Sequence, residues 1–339
     1  MATQTVARPT PERIFNTLTA FQQTAALKAA IALDVFTKIG EGAGQPAAIA
    51  KSIGAAERGV RILCDYLAIQ GFLKKENGRY ALSPDSAMFL DKRSPACMGS
   101  MADFIADQEH YHNFGLLAEA VRRGGTATQK GDHTKAHEDL WVKFAEAMAP
   151  MTLPASMFIC KLIDAASGKA MNVLDIAAGH GMYGITVARQ NPNARVTAVD
   201  WPAVLEVAKK NAEKTGVANR YTTRPGSAFE TDLGSGYDYV LLTNILHHFD
   251  RATCEKLLKR VRAALKPGGK AVVLEFVPNE DRVTPPTAAA FAIVMLASTD
   301  SGDAYTFEEY EKMLRDCGFA KATLHPMQDM PQQVIVAEK

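Results

Sequence analysis

The chain has 339 residues, enough for two domains with substantial cores. With 47% hydrophobic and 22% charged residues and a net charge of +1, it offers no electrostatic reason to bind nucleic acid or an anionic membrane. Its five cysteines (Cys64, Cys97, Cys160, Cys254, Cys317) lie far apart, which argues against a disulfide framework or a zinc site and for reduced thiols.

The first unit expected from the sequence covers residues 1–100. Ile14, Leu18, Phe21 and Ala25 recur at helical spacing, and a second helix is expected over 25–39. A short helix follows at 46–53, then a longer one whose apolar face is Val60, Leu63, Cys64 and Leu67, ending at Gly71. FLKKENGRYAL reads as a hairpin, because Asn77-Gly78 suits the positive φ angles of a tight turn. Helices followed by such a wing make a winged helix, which raises the possibility of a DNA-binding regulator. The candidate recognition helix carries Glu57, Arg58, Arg61 and Asp65, however, so its charges cancel where phosphate binding needs a surplus. Residues 101–166 read as a helical connector.

From residue 167 the pattern alternates. Strands are expected at NVLDIA, RVTAVD, YDYVLLT and KAVVLEF, with helices at 182–190, 203–215 and 251–265 between them and KPGG as a helix stop. This rhythm predicts a parallel sheet covered on both faces. A helix capped by Thr306 and Glu309 follows, then KATLHPM and QQVIVAEK, expected to pair antiparallel. The longest apolar run, residues 288–297, is too short to span a bilayer. No secretory leader is visible, so a cytoplasmic location is expected.

VLDIAAGHGMYG contains Gly179, Gly181 and Gly184 in the spacing G-x-G-x-x-G, where a nucleotide is expected at the carboxyl end of a strand. Asp200 ends the next strand, 21 residues after Gly179, and suits both hydroxyls of a ribose. Asp175 separates the possible ligands. A pyrophosphate would meet this carboxylate at a cost of roughly 1–4 kcal/mol, which disfavours a nicotinamide oxidoreductase. S-adenosylmethionine carries an ammonium and a sulfonium that an acid attracts. The plainer alternative is that Asp175 caps amides of the loop.

VLDIAAGHG followed by AVDWP is similar to the first two motifs of class I S-adenosylmethionine-dependent methyltransferases, which have a Rossmann-like α/β sheet. GSAFE, TNILHHFD, KPGG, VLEFVP and YTFEEYEKMLRDCGF extend the likeness. With the winged helix, the chain resembles the metal-independent small-molecule O-methyltransferases of the plant caffeate/flavonoid type and their bacterial natural-product relatives. The resemblance implies that Gly179 and Gly181 contact the methionine part of the cofactor, Asp200 the ribose and Trp201 the adenine. The family's G-D-M-F motif reads Gly226-Ser227-Ala228-Phe229 here and lacks the acid. Thr243, where plant members often have lysine, and Asn244 complete the expected cofactor wall.

The family's L-H-D signature reads Leu246-His247-His248. The resemblance makes His247 the general base, His248 an acceptor contact and Glu275 the carboxylate that orients the base. A second family glutamate falls at Ala304, so either Asp303 beside it substitutes or the base works with one partner. Phe291 and Met295 in PTAAAFAIVMLAS, with Phe104, Tyr111 and Phe114 in the connector, are candidates for an aromatic acceptor's wall. The pairs His110/His112 and His133/His137 read as polar surface or pocket residues, and no metal is expected. The family interlocks two subunits through the N-terminal domain, which implies a homodimer. Methyl transfer to carbon, nitrogen or sulfur on the same scaffold stays open, because His248 replaces the aspartate.

Overall fold

The computed structural model describes residues 9–128, 138–328 and 330–339, and His133 and His137 lie outside them. The chain divides into two units, Met1–Ala106 and Asp107–Lys339. In the first, helices Pro46–Ile53 and Glu57–Ile69 precede a hairpin of β1 (Leu73–Glu76) and β2 (Arg79–Leu82). Asn77 and Gly78 take φ angles of 49° and 74° between them, the two left-handed positions that such a turn needs. Val60, Cys64 and Leu67 are buried, as their periodicity predicts. The helix expected over 25–39 is instead two, Phe21–Ala32 and Val35–Gly40, divided at Asp34, whose φ is 61°. That break turns Val35, Phe36 and Ile39 into the core beside Ile49 and Leu67.

Two features bear on what this unit does. Asp65 pairs with Arg61 (3.1 Å) and Lys75 (2.5 Å) and accepts the Tyr80 hydroxyl (2.7 Å), so charges on the expected recognition helix are neutralised in place. The apolar stripe Ile14, Phe15, Leu18 and Phe21 is 62–68% exposed. Among the described residues this stripe is therefore a surface and not part of the unit's core.

The second unit is built on β3 (Met171–Ile176), β4 (Ala194–Asp200), β5 (Tyr221–Pro225), β6 (Tyr237–Thr243), β7 (Leu265–Glu275), β8 (Lys321–Pro326) and β9 (Gln333–Glu338). Their order is β5-β4-β3-β6-β7-β9-β8, with only β9 antiparallel to its neighbours. The chain turns to opposite sides from β3, so the crevice at the carboxyl ends of β3 and β6 is where such sheets bind ligands. Strand alternation sends Leu174, Ile176, Val240, Leu242, Ala271 and Val273 into one core, and Val173, Leu241, Val272 and Leu274 into another.

Two local expectations change. β5 escapes the sequence pattern because YTTRP is a short edge strand with only Tyr221 buried, so no apolar run marks it. KPGG follows the end of its helix as expected, but β7 begins at Leu265, ahead of the expected KAVVLEF, so KPGG lies inside the strand, where the register slips between Tyr237 and Tyr239. The helix already ends at Ala264. The capping box of Thr306 and Glu309 forms as expected.

Candidate active site

The glycine loop follows β3. A Cβ on Gly181 would lie 2.5 Å from the Tyr221 hydroxyl and 2.9 Å from the Ala208 methyl, and Gly181 also has φ 74°, so glycine is required there. A Cβ on Gly184 would meet Val196 at 2.7 Å and Asp175 at 2.9 Å, which lets the helix Met182–Gln190 settle onto the sheet. Gly179, by contrast, would bring a Cβ near only Phe144, at 3.9 Å. Its N–H donates to Asp200 Oδ2 (2.8 Å), and the Trp201 N–H donates to Oδ1 (2.7 Å). Asp200 thereby ties the loop to the end of β4.

Asp175 is fully buried. Its Oδ2 accepts the Gly184 N–H at 3.1 Å, which is the amide-capping arrangement, while Oδ1 has no hydrogen-bond partner. Burial raises its pKa from 3.8 to about 8, opposed by the Gly184 hydrogen bond and aided by Asp200. The folded chain thus holds a proton that the unfolded chain loses near 3.8, so stability is fully present below pH 4 and declines as pH rises to about 8. Asp175→Asn is expected to remove that slope, by on the order of a few kcal/mol across the window. Urea unfolding at pH 5 and pH 8 measures it, and a pH-independent difference between the two proteins would contradict it.

His180, which sequence reasoning passed over, sits buried between Gly179 and Gly181. Its Nδ1 accepts the Met182 N–H (3.1 Å), and burial lowers its pKa to about 4, so it is neutral at physiological pH. Gly226 N–H donates to the Asp200 carbonyl (2.9 Å), bringing residues 226–229 alongside the end of β4. Ser227 Oγ accepts the Phe229 N–H (3.2 Å), and the Ala228 carbonyl accepts Arg260 Nε–H (3.1 Å). Phe229 packs edge-on against Phe249 with centroids 5.1 Å apart. Thr243, the last residue of β6, is buried, and Asn244 after it is left-handed (φ 56°). Asn244 accepts a hydrogen bond from Gln332 and pairs with the Tyr183 hydroxyl. Gln332 and Tyr183 were not singled out from the sequence, since only the folded sheet brings these segments together.

His247 lies on the short 3-10 turn Leu246–His248 and is buried. Its Nδ1 is 2.5 Å from Glu275 Oε2. Glu275 is itself fully buried, and its Oε1 accepts the N–H groups of Ile245 (3.0 Å), Leu246 (2.8 Å) and His247 (3.4 Å). Three amides and an imidazole N–H satisfy the carboxylate without a cation. Because Nδ1–H is committed to Glu275, Nε2 carries the lone pair of the neutral ring. On this tight turn the adjacent rings of His247 and His248 lie with their centroids 4.2 Å apart. Among the described residues no group of three or more His, Cys, Asp or Glu is placed to hold a metal ion.

Asp303 differs from its expected place beside the base. Its Oδ2 pairs with Arg282 (3.2 Å), and its Oδ1 accepts the Ala304 N–H (2.8 Å). It meets His247 through the main chain instead, its N–H donating to the His247 carbonyl at 3.0 Å.

Aromatic rings surround the base. Phe291, on the helix Pro286–Ser298, stands edge-on to His247 at 4.8 Å and stacks on Phe276 at 3.9 Å. Trp141 meets His248 edge-on at 5.3 Å and Phe144 at 5.9 Å. Phe276 and Trp141 went unassigned in the sequence, although VLEFVP contains the first. Met295 is buried on the same helix as Phe291, whereas Tyr111 and Phe114 are about 40% exposed on a helix packed against it. Phe104 belongs to the first unit. His110 is half-buried, with its pKa lowered by that burial, and His112 is exposed.

The residues present fit S-adenosylmethionine. Asp175 Oδ1 is a buried acceptor without a donor, only Phe144 would meet a Cβ on Gly179, and Asp200 binds the Gly179 and Trp201 amides at the end of β4.

Comparison with known proteins agrees. The O-methyltransferase domain family matches residues 118–320, and the O-methyltransferase dimerisation domain matches residues 15–92. A solved structure of a candidate O-methyltransferase from Nostoc punctiforme is 49% identical and superposes with a TM-score of 0.93, covering 98% of this chain and 100% of that one. The 3-hydroxy-5-methyl-1-naphthoate 3-O-methyltransferase of Streptomyces sahachiroi is 28% identical over 91% of this chain and 89% of its own length. PigF, an S-adenosyl-L-methionine-dependent methyl transferase of Serratia sp., has been solved with SAH. It is 26% identical with a TM-score of 0.85, covering 98% of this chain and 100% of PigF. The two matching domains show that the chain belongs to the S-adenosylmethionine-dependent O-methyltransferases.

Proposed function

We propose that this chain methylates a phenolic or enolic hydroxyl of a small flat aromatic molecule, with His247 Nε2 as the general base. One observation supports this above the others: Glu275 holds Nδ1 at 2.5 Å, so the basic nitrogen of a buried ring is the other one, with Phe291 beside it. A free phenol near pKa 10 and a free imidazole near 6.5 leave complete proton transfer uphill by about 5 kcal/mol in water. Glu275 lowers that cost by stabilising the imidazolium as it forms. S-adenosylmethionine, when bound, supplies the methyl carbon and a sulfonium charge that favours the developing phenolate.

Asp200 and Trp201 hold the nucleoside side of this site, with Ser227, Ala228, Phe229, Thr243 and Asn244 around the adenosyl group. Gly179 and Gly181 lie on the methionine side, where Asp175, protonated in the free chain, meets the ligand's positive charge. Phe291, Phe276 and His248 orient the acceptor ring, so much of the acceleration is positional. Incubation with methyl-labelled cofactor and a panel of phenols, enols and heteroaromatic thiols tests the reaction. Label on a phenolic or enolic oxygen is expected, and label appearing only on carbon, nitrogen or sulfur would overturn it.

The assembly proposed is a homodimer joined through the first unit, supported by the dimerisation-domain match and the exposed stripe of Ile14, Phe15, Leu18 and Phe21. Burying each such side chain contributes about 1.5–3 kcal/mol. Phe15→Glu combined with Leu18→Glu is therefore expected to weaken the dimer by roughly 10²-fold or more. Sedimentation across a concentration series reads this out, and a variant as dimeric as the parent would rule the stripe out as an interface. No helix among the described residues is long and apolar enough to cross a membrane.

A further inference from the structure

Residues 276–285 run from β7 to the helix Pro286–Ser298, and their hydrogen bonds make them a defined turn. Asn279 N–H donates to the Thr284 carbonyl (2.7 Å), and Arg282 N–H donates to that of Asn279 (2.9 Å). The Asp281 carboxylate accepts the N–H groups of Val283 and Thr284, both at 2.9 Å. Arg282 has φ 53°, a left-handed conformation that costs a side-chain-bearing residue unless its surroundings hold it. Its guanidinium reaches Asp303 Oδ2 at 3.2 Å, both Glu309 oxygens at 2.6 Å and the Ala304 carbonyl at 3.4 Å.

These partners lead to the base. Asp303 N–H donates to the His247 carbonyl at 3.0 Å, and a Cβ on Gly302 would lie 2.3 Å from that same oxygen. Residues 302–304 are thus pressed against the main chain of His247. Glu309 meanwhile accepts the Thr306 N–H (2.8 Å) and closes the cap of the helix Phe307–Asp316. One guanidinium joins the turn leaving Glu275, the strip under His247 and the helix beyond it. Glu275 is the carboxylate bonded to the ring, and the strip supports the main chain of His247.

We propose that Arg282 is a positioning residue for His247, holding residues 302–304 against its carbonyl through Asp303 and Glu309. The inference rests on His247 as the base, but it can be tested without an acceptor. The side chains of Arg282, Asp303 and Glu309 are 44%, 38% and 40% exposed, so their ion pairs are screened and losing them leaves the fold standing.

The measurement is the ring-nitrogen NMR signals of His247 in the full chain labelled with ¹⁵N-histidine, assigned by their loss in His247→Gln. The parent is expected to show the Nδ1-protonated tautomer. Arg282→Met is expected to raise the minor Nε2-protonated species roughly ten-fold, with the circular dichroism unchanged. Arg282→Lys restores most of the parent pattern, an effect that loss of general stability would not produce. Asp303→Asn gives the same change as Arg282→Met, and the double variant adds nothing to either. Parent-like ring signals in Arg282→Met, or an additive effect of Asp303→Asn, would overturn the proposal. A failure of His247 as base shows separately, as methyl transfer that survives His247→Gln.

Discussion

Methyl transfer by His247→Gln is expected to fall 10²- to 10⁴-fold in kcat, with the affinity for S-adenosylmethionine within about two-fold of the parent. Glutamine fills most of the imidazole's place and can still meet Glu275, so the loss isolates the basic nitrogen from packing. The split between the two readings follows from placement. His247 lies on the turn after β6, while the first-loop glycines lie after β3 and Asp200 at the end of β4. Removing the base therefore subtracts from the transition state and leaves the cofactor's binding contacts in place. Single-turnover kinetics beside calorimetric titration of the cofactor decides it. A variant with near-normal turnover would remove His247 from the chemistry.

Glu275 is expected to give the second large effect, and two substitutions divide it into parts. Glu275→Ala strips partners from the buried N–H groups of Ile245, Leu246 and His247. Each unpaired buried donor costs roughly 1–3 kcal/mol, so the fold should lose on the order of 3–5 kcal/mol after relaxation. Glu275→Gln keeps the shape but sets an NH₂ group either against three backbone donors or against the donor on His247 Nδ1. Relief comes from moving the ring proton to Nε2, which removes the base's lone pair from the acceptor side. A kcat loss of about 10³-fold or more is expected with much of the stability kept. Urea unfolding of Glu275→Ala and steady-state kinetics of Glu275→Gln are the two measurements. A fully active Glu275→Gln would show that tautomer control is unimportant here.

The buried carboxylates also show how similar sequence settings acquire different tasks. Asp175 is the penultimate residue of β3 and Glu275 the last of β7 in one sheet, and both are fully buried. Glu275 receives donors at both oxygens, including a titratable ring. Asp175 receives one amide, so its burial is little compensated and holds its proton up to about pH 8.

Much of the architecture was legible in local pattern. Alternation at residues 173–176 and 240–242 follows from a strand's two-residue period, and the helix of residues 182–190 from the glycines before it and its own apolar spacing. Asn77-Gly78 wrote its own turn, because few residues accept two successive positive φ angles. His247, Glu275 and Asp200 were assigned through motif order, which is likewise local. The stripe on the first helix was legible as apolar, but whether it was core or surface was not.

Tertiary structure decided what depends on distance. Asp303 sits next to the expected position of a catalytic carboxylate, yet Arg282, 21 residues earlier, takes its charge. Asn244 meets Gln332 across 88 residues, and Glu275 reaches the amides of the His247 turn across about 30. The sequence by itself determined which chemical groups the crevice contains and the elements that carry them, because propensity and periodicity act over a few residues. Which group partners which was left to the packed sheet, since a hydrogen bond depends on ångström-scale separation between segments whose spacing along the chain says nothing about their meeting.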